Sequence, residues 1–193
     1  MEILVTNDDG VQAPSLLALV QALRKLDANI TVLAPERNWS ASGHVKTMHR
    51  PLRLSPTVLA DGSSAWQSDG APSDCVALAM MGALEQDFDL LVSGINPNAN
   101  IGLDVTYSGT VTAAMEASIW GKPGIAVSLD APENHHGRLD FRSAAETAAQ
   151  LTWQLAERAN GTHPAPIYNI NIPYRPEGDY AGVMITRQGV RIY

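Results

Sequence analysis

Two adjacent aspartates, Asp8 and Asp9, close the apolar run that opens the chain, in the stretch TNDDG. Side by side at the end of a buried strand, two carboxylates repel each other and lose solvation, so the pair needs a cation or a dense hydrogen-bond network. Two other turns carry the oxygens such a cation would want: Ser40 with Asn38, and Ser93 with Asn96. Carboxylate, hydroxyl and amide oxygens suit a hard divalent ion, Mg²⁺ or Mn²⁺ first, with Ca²⁺ also able to occupy such a site. The plainer reading is that Asn-Asp-Asp-Gly is turn chemistry, an aspartate capping the next helix and Gly10 supplying a positive φ. Taken alone the motif favours that reading. Its place after the first strand, with two oxygen-rich turns at other strand ends, tips the balance to metal.

A second constellation is YSGTVTAAMEA, from Tyr107. Ser108, Gly109 and Thr110 open a helix whose unpaired N–H groups and dipole would receive a phosphate, although Ser108 or Thr110 would serve equally as a plain N-cap. The five histidines, His44, His49, His135, His136 and His163, show no HExxH spacing, and His135 and His136 fall in a polar loop, where solvation is expected. Glu116 interrupts an apolar helix but lies off the face drawn by Val111, Ala114, Met115, Ser118 and Ile119, so it too is expected to be solvated. Trp39, beside Ser40, could border a substrate pocket; the remaining tryptophans read as packing. No P-loop, GxSxG or CxxC pattern occurs.

The elements that must position these residues alternate along the chain. Residues 1–6, 29–35, 89–96, 123–129, 167–173 and 182–187 have the short apolar runs of buried strands. Helical spacing follows Pro14, spans 72–84, begins again near Gly109, and runs from Phe141 to the Asn160-Gly161 stop. The stretch from Glu36 to Ser68 reads as irregular, with strand-like pieces such as 51–54. Strands alternating with helices imply one doubly wound, mostly parallel α/β sheet, in which ligands bind beyond the carboxyl ends of the strands.

Composition narrows the function. With 193 residues, 45% of them hydrophobic, the chain suits a single domain with a sizeable core. A net charge of −7, with 13 Lys and Arg scattered along the chain, offers no footprint for duplex nucleic acid. The single cysteine, Cys75, sits in an apolar context, is expected in the core, and fits a reducing compartment. No apolar run approaches the ~20 residues that cross a bilayer, so the expectation is a cytoplasmic protein with no membrane partner.

Seven segments taken together resemble the survival protein SurE family: ILVTNDDG (3–10), APERNWSASG (34–43), GAPSDCV (70–76), VSGINPNANIGLDVTYSGTVTAAMEA (92–117), IAVSLD (125–130), YNINIP (168–173) and ITRQG (185–189). The resemblance implies a Rossmann-like three-layer α/β fold and a metal-dependent phosphatase acting on nucleoside 5′-monophosphates. By position it implies that Asp8, Asp9, Ser40 and Asn96 hold one divalent ion. Asp8 and Asp9 would be the catalytic carboxylates, with Asn96, Ser108, Gly109 and Thr110 at the substrate phosphate. It also implies a homodimer or homotetramer. The family continues past ITRQG with an extended hairpin and a closing segment, so residues 1–193 are expected to form one domain without them. Pro97 and Asn98 follow SGIN where the family has a Gly two residues on, and Ala117 replaces a Gly after Met-Glu.

Two alternatives compete with a phosphatase. A receiver-type phosphoacceptor domain would need an Asp after a later strand, where this chain has SGIN. A catalytically silent metal- or nucleotide-binding protein would be stabilised by ligand without releasing phosphate.

Overall fold

The computed structural model describes residues 1–132 and 134–190. A seven-stranded sheet lies between two helical layers. Its strands are β1 (Glu2–Thr6), β2 (Asn29–Pro35), β3 (Leu54–Val58), β4 (Ser64–Ser68), β5 (Leu90–Asn96), β6 (Gly124–Asp130) and β7 (Ile167–Pro173), in the spatial order β3-β4-β2-β1-β5-β6-β7. All neighbours are parallel except β3 with β4. This is the doubly wound α/β architecture that the alternation of elements implies.

Burial on both faces explains why the central strands are continuously apolar. Ile3, Val5 and Val92 pack with Leu16, Leu19 and Leu23 of α1 (Pro14–Leu23) and with Ala144, Ala145 and Ala148 of α4 (Arg142–Ala159). Leu4, Leu33 and Leu91 point the other way, onto Cys75, Val76 and Ala79 of α2 (Pro72–Met80) and Ala113 and Ala117 of α3 (Gly109–Ile119). Cys75 is fully buried and free, as its context predicts.

The strand order reverses between β1 and β5, because β1 continues to β2 on one side while β5 continues to β6 on the other. A crevice therefore opens beyond the carboxyl ends of β1 and β5. Asp8 follows the first of these strands and Asn96 ends the second.

Four expectations need correction. The stretch from Glu36 to Ser68 is not irregular throughout: β3 and β4 form an antiparallel hairpin there. Its residues are largely polar and only partly buried, SAWQS in β4 above all, so no clean apolar alternation announces an edge hairpin. The helix expected over 72–84 ends at Met80. Residues 182–187 form no strand; they are exposed and pair with neither outer strand of the sheet, β3 or β7, so their apolar character buries nothing. Finally, Ile119 is 71% exposed while Glu116 is fully buried, so the apolar face of α3 is rotated from the one its spacing suggests. Among the described residues no helix is long and apolar enough to cross a membrane.

Candidate metal and phosphate site

The turn after β1 is built by Asn7. Its buried side chain accepts from the Gly10 N–H (3.2 Å) and donates to the Gly10 carbonyl (3.0 Å), closing the loop over Asp8 and Asp9. Gly10 has φ 102°, and a Cβ there would stand 3.3 Å from the Arg37 backbone, so a side chain would be both strained and crowded. The Val11 N–H donates to the Pro35 carbonyl (2.8 Å), which ties this turn to the end of β2.

Asp8 is 3% exposed and lies against the N-terminus of α3. Thr110 Oγ1 donates to Asp8 Oδ1 at 2.7 Å. Gly109 admits the carboxylate: a Cβ on it would sit 2.8 Å from Asp8 Cβ. Burial pushes the Asp8 carboxyl up from its ordinary value, against the Thr110 hydroxyl and the Thr110 and Gly109 backbone, which favour the charged form. Asp9 is raised to about 6, by burial first and then by the neighbouring Asp8 charge. Asn38 Nδ2 donates to Asp9 Oδ1 (3.2 Å), but Asp9 Oδ2 is buried with no hydrogen-bond partner.

Ser40 is carried on the segment 36–47, which has neither helix nor strand. The Trp39 N–H donates to the Asp8 carbonyl (2.7 Å), the Arg37 guanidinium covers the Trp39 ring at 4.3 Å, and the Ser40 N–H donates to Asn38 Oδ1 (2.8 Å). Asn96 Nδ2 donates to the Asn98 carbonyl (2.5 Å), so the Asn96 side-chain oxygen is the atom that could ligate a cation. Asp8, Ser40, Asn96 and Ser108 meet on one cavity of about 740 Å³ at the crevice between β1 and β5.

Placement differs among the expected residues. Asp9, Gly109 and Thr110 are not on that lining: Asp9 is held by Asn38, while Gly109 and Thr110 engage the Asp8 carboxylate. Ser108 borders the cavity, and its Oγ accepts from the Val111 N–H (3.1 Å), so the N-cap reading holds for it. Trp39 lies beside the cavity without lining it.

The residues fit a hard divalent cation. Among the described residues no cluster of three His, Cys, Asp or Glu could hold a metal, so a site here must draw on hydroxyl and amide oxygens besides its two carboxylates. A buried carboxylate oxygen without a donor, next to a second buried carboxylate, is the feature a cation would satisfy.

The model of the family described as survival protein SurE matches residues 3–193. The chain belongs to the SurE family. It is 47% identical over 193 residues to the 5′-nucleotidase SurE of Chloroflexus aggregans, across the whole of this chain and 74% of that one. It is 46% identical to the 5′-nucleotidase SurE of Geobacter sulfurreducens, across all of this chain and 70% of that protein. The crystal structure of the Aquifex aeolicus SurE protein superposes with a TM-score of 0.85 at 36% identity, covering all of this chain and 74% of that one.

One residue that the sequence did not mark, Asn100, shapes the site of this SurE chain, and two expected to be solvated, His135 and Glu116, are placed otherwise. Asn100, 6% exposed, pins the loop after β5: its N–H donates to Asn171 Oδ1, its Nδ2 to Ser128 Oγ, both at 2.8 Å, and its carbonyl accepts from Asn169 and Asn171. The signal was the alternating Asn-Ile-Asn of β7, polar groups in an apolar strand that require a partner. His135 is not simply solvated: it packs edge-on against Tyr174 (4.9 Å), its Nε2 is buried without a partner, and it borders the cavity. His136 is exposed. Glu116 is the largest departure. Instead of meeting solvent it accepts from Lys46 Nζ (2.5 Å), His44 Nε2 (2.8 Å) and Trp120 Nε1 (2.8 Å).

Proposed function

We propose that this SurE-family chain is a divalent-metal-dependent phosphatase that hydrolyses nucleoside 5′-monophosphates to nucleoside and phosphate. The class of enzyme, a phosphoric monoester hydrolase of the 5′-nucleotidase type, is supported by identities of 42–47% to proteins of that name over the whole of this chain and 70–74% of theirs. The observation that carries the metal-dependent reading is the convergence of Asp8, Ser40 and Asn96, with Asp9 Oδ2 buried and unpartnered.

Asp8, Asp9, Ser40 and Asn96 would hold one Mg²⁺ or Mn²⁺. Bound there, the ion would supply Lewis-acid polarisation of a phosphoryl oxygen and lower the pKa of a coordinated water. The protein's own contribution is placement. Thr110 and the start of α3 hold the Asp8 carboxylate in one orientation, and Asn38 does the same for Asp9. Ser108, Asn96 and the N-terminal end of α3 offer polar groups and positive helix potential beside the cavity, where an anionic phosphoryl group would be favoured. Uncatalysed phosphate-monoester hydrolysis is so slow that enzymes accelerate it by up to ~10²¹, which favours an ion over hydrogen bonds alone.

Phosphate release from a panel of nucleoside 5′-monophosphates and an aryl phosphate, with Mg²⁺ or Mn²⁺ and then with chelator, tests this. Release with the metal and its loss with chelator are expected. Thermal stabilisation by metal and nucleotide without release would instead mark a silent binding protein. The proposed assembly is a homodimer or homotetramer, which light scattering on the purified chain would decide.

A further inference from the structure

We propose that Glu116 is a positioning residue that sets Ser40 relative to Asp8, using α3 as a common frame; the inference rests on the metal-site reading above. A twelve-residue segment without regular structure, 36–47, has to carry Ser40 to the cavity. Such a segment stays in one place only if its polar groups find fixed partners. Asp8 and Asp9 hold its first half and Ser73 and Asp74 of α2 its last residues, while the stretch from Gly43 to Lys46 is fastened to α3 and its approach. The Gly43 N–H donates to the Tyr107 carbonyl (2.9 Å), and Thr112 Oγ1 lies 3.0 Å from the Gly43 carbonyl. One residue on, His44 reaches the Glu116 carboxylate, and Lys46 reaches its other oxygen.

The buried carboxylate explains why this grip is specific. Glu116 is fully buried, two helical turns beyond Gly109, and an unpaired charge there would be costly. Trp120, one turn further along α3, supplies one donor from the helix itself, but the two remaining donors come from the Ser40 segment. Lys46 and His44 are at the surface, so the segment must lie across α3 to bring them in. Beyond Lys46 the next residue, Thr47, is fastened to Asp74 at the start of α2 by both its N–H (2.9 Å) and its hydroxyl (2.7 Å).

The same helix holds Asp8. Thr110 at its first turn donates to the Asp8 carboxylate, while the Asp8 carbonyl accepts from the Trp39 N–H. Ser40 therefore sits in a short arch between two fixed points: Trp39, held by Asp8, and Gly43-His44, held by α3. Removing the Glu116 carboxylate takes the His44 and Lys46 ties from one foot of the arch, leaves Gly43 on the Tyr107 carbonyl, and touches none of the four residues assigned to the metal. A group that orients a metal ligand from outside typically changes metal affinity or activity by about 10- to 100-fold.

A double-mutant cycle on the full chain tests this, read by calorimetric Mn²⁺ affinity and by kcat/KM for an aryl phosphate. Glu116→Gln should weaken both by about tenfold in the wild-type background, and by less than about twofold when Ser40 is already Ala, because the two share one route. Lys46→Met should show the same pattern on a smaller scale, Lys46→Arg should restore it, and these surface variants serve if Glu116→Gln does not fold. Equal losses in the two backgrounds, or unchanged Mn²⁺ affinity in both Glu116→Gln and Lys46→Met, would overturn the positioning role. If the wild-type chain itself binds no Mn²⁺, the metal reading fails, and this inference falls with it; if it binds Mn²⁺ and the cycle is additive, only the positioning role fails.

Discussion

Two of the segments without helix or strand, the Ser40 segment (36–47) and the tail (181–190), are held in opposite ways. The first has a surface-like composition, ERNWSASGHVKT, yet Trp39 is tied to Asp8 and the run from Gly43 to Thr47 to α3, its approach and α2. The second has the more structured-looking sequence, GVMITR, yet Ile185 is 94% exposed, and Gln188 Nε2 reaches back to the Gly102 carbonyl at 2.8 Å. An apolar run does not make a strand unless it pairs with an edge, and this one pairs with neither β3 nor β7. Irregular chain becomes a fixed part of a site when buried acceptors, here Glu116 and Asp74, demand its donors.

The contrast can be broken at several points, beginning with the site the first segment serves. If Asp8 is the metal ligand proposed above, Asp8→Asn lowers turnover by about a thousandfold or more with the melting temperature held within a few degrees, since Thr110 keeps an acceptor. Substantial turnover in that variant would mean Ser40 is being held against nothing of catalytic value. Thr112→Val removes the hydroxyl that lies within reach of the Gly43 and Ser108 carbonyls, and should cost about 1 kcal/mol in denaturant unfolding. A neutral result would show that the Gly43 foot of the arch is not fastened there.

A pH titration of stability sharpens the Glu116 side of the comparison. Burial pushes that carboxyl up, but the bonds from Lys46, His44 and Trp120 outweigh it and hold it below its ordinary value of 4.5. A depressed folded-state pKa stabilises the fold above the unfolded value, and that contribution is lost as pH falls through the folded one. The stability difference between wild type and Glu116→Gln should thus be constant above about pH 5 and shrink below 4.5. A difference that grew on acidification would contradict the charged, gripped carboxylate. Gln188→Ala, on the tail, should change stability by less than about 0.5 kcal/mol. Limited proteolysis of the wild type should cut 181–190 before 36–47, and the reverse order would undo the contrast.

Much of the frame was legible because it obeys local rules. The apolar runs of β1, β2, β5, β6 and β7 and the helices opened by Pro14 and Ser108 or closed near Asn160 announce themselves by periodicity and punctuation. Asp8, Ser40 and Asn96 stood out because polar oxygens at strand ends have one natural meeting place in a doubly wound sheet, Ser108 because it opens a helix, and the four do meet on one cavity. The hairpin of β3 and β4 escaped notice because an edge pair of SAWQS and LSPTV buries too little to leave a pattern. Asn100 went unmarked, and Glu116 was expected in solvent, for a different reason. Each is a polar residue whose partners lie far along the chain, at Asn171 and at Lys46, and spacing along one element says nothing of them.

By itself the amino-acid order determined which segments would bury, how they would alternate, and which oxygen-bearing residues would end up at the carboxyl edge of the sheet, because strand and helix periodicities are properties of neighbouring residues. Only the tertiary structure decided that Thr110 faces Asp8, that Asp9 keeps one oxygen without a donor, and that Glu116 is buried to grip the Ser40 segment. Those outcomes depend on how closely α3 approaches the turn after β1. Desolvation and hydrogen-bond pairing are settled by that distance in space, and not by any position in sequence.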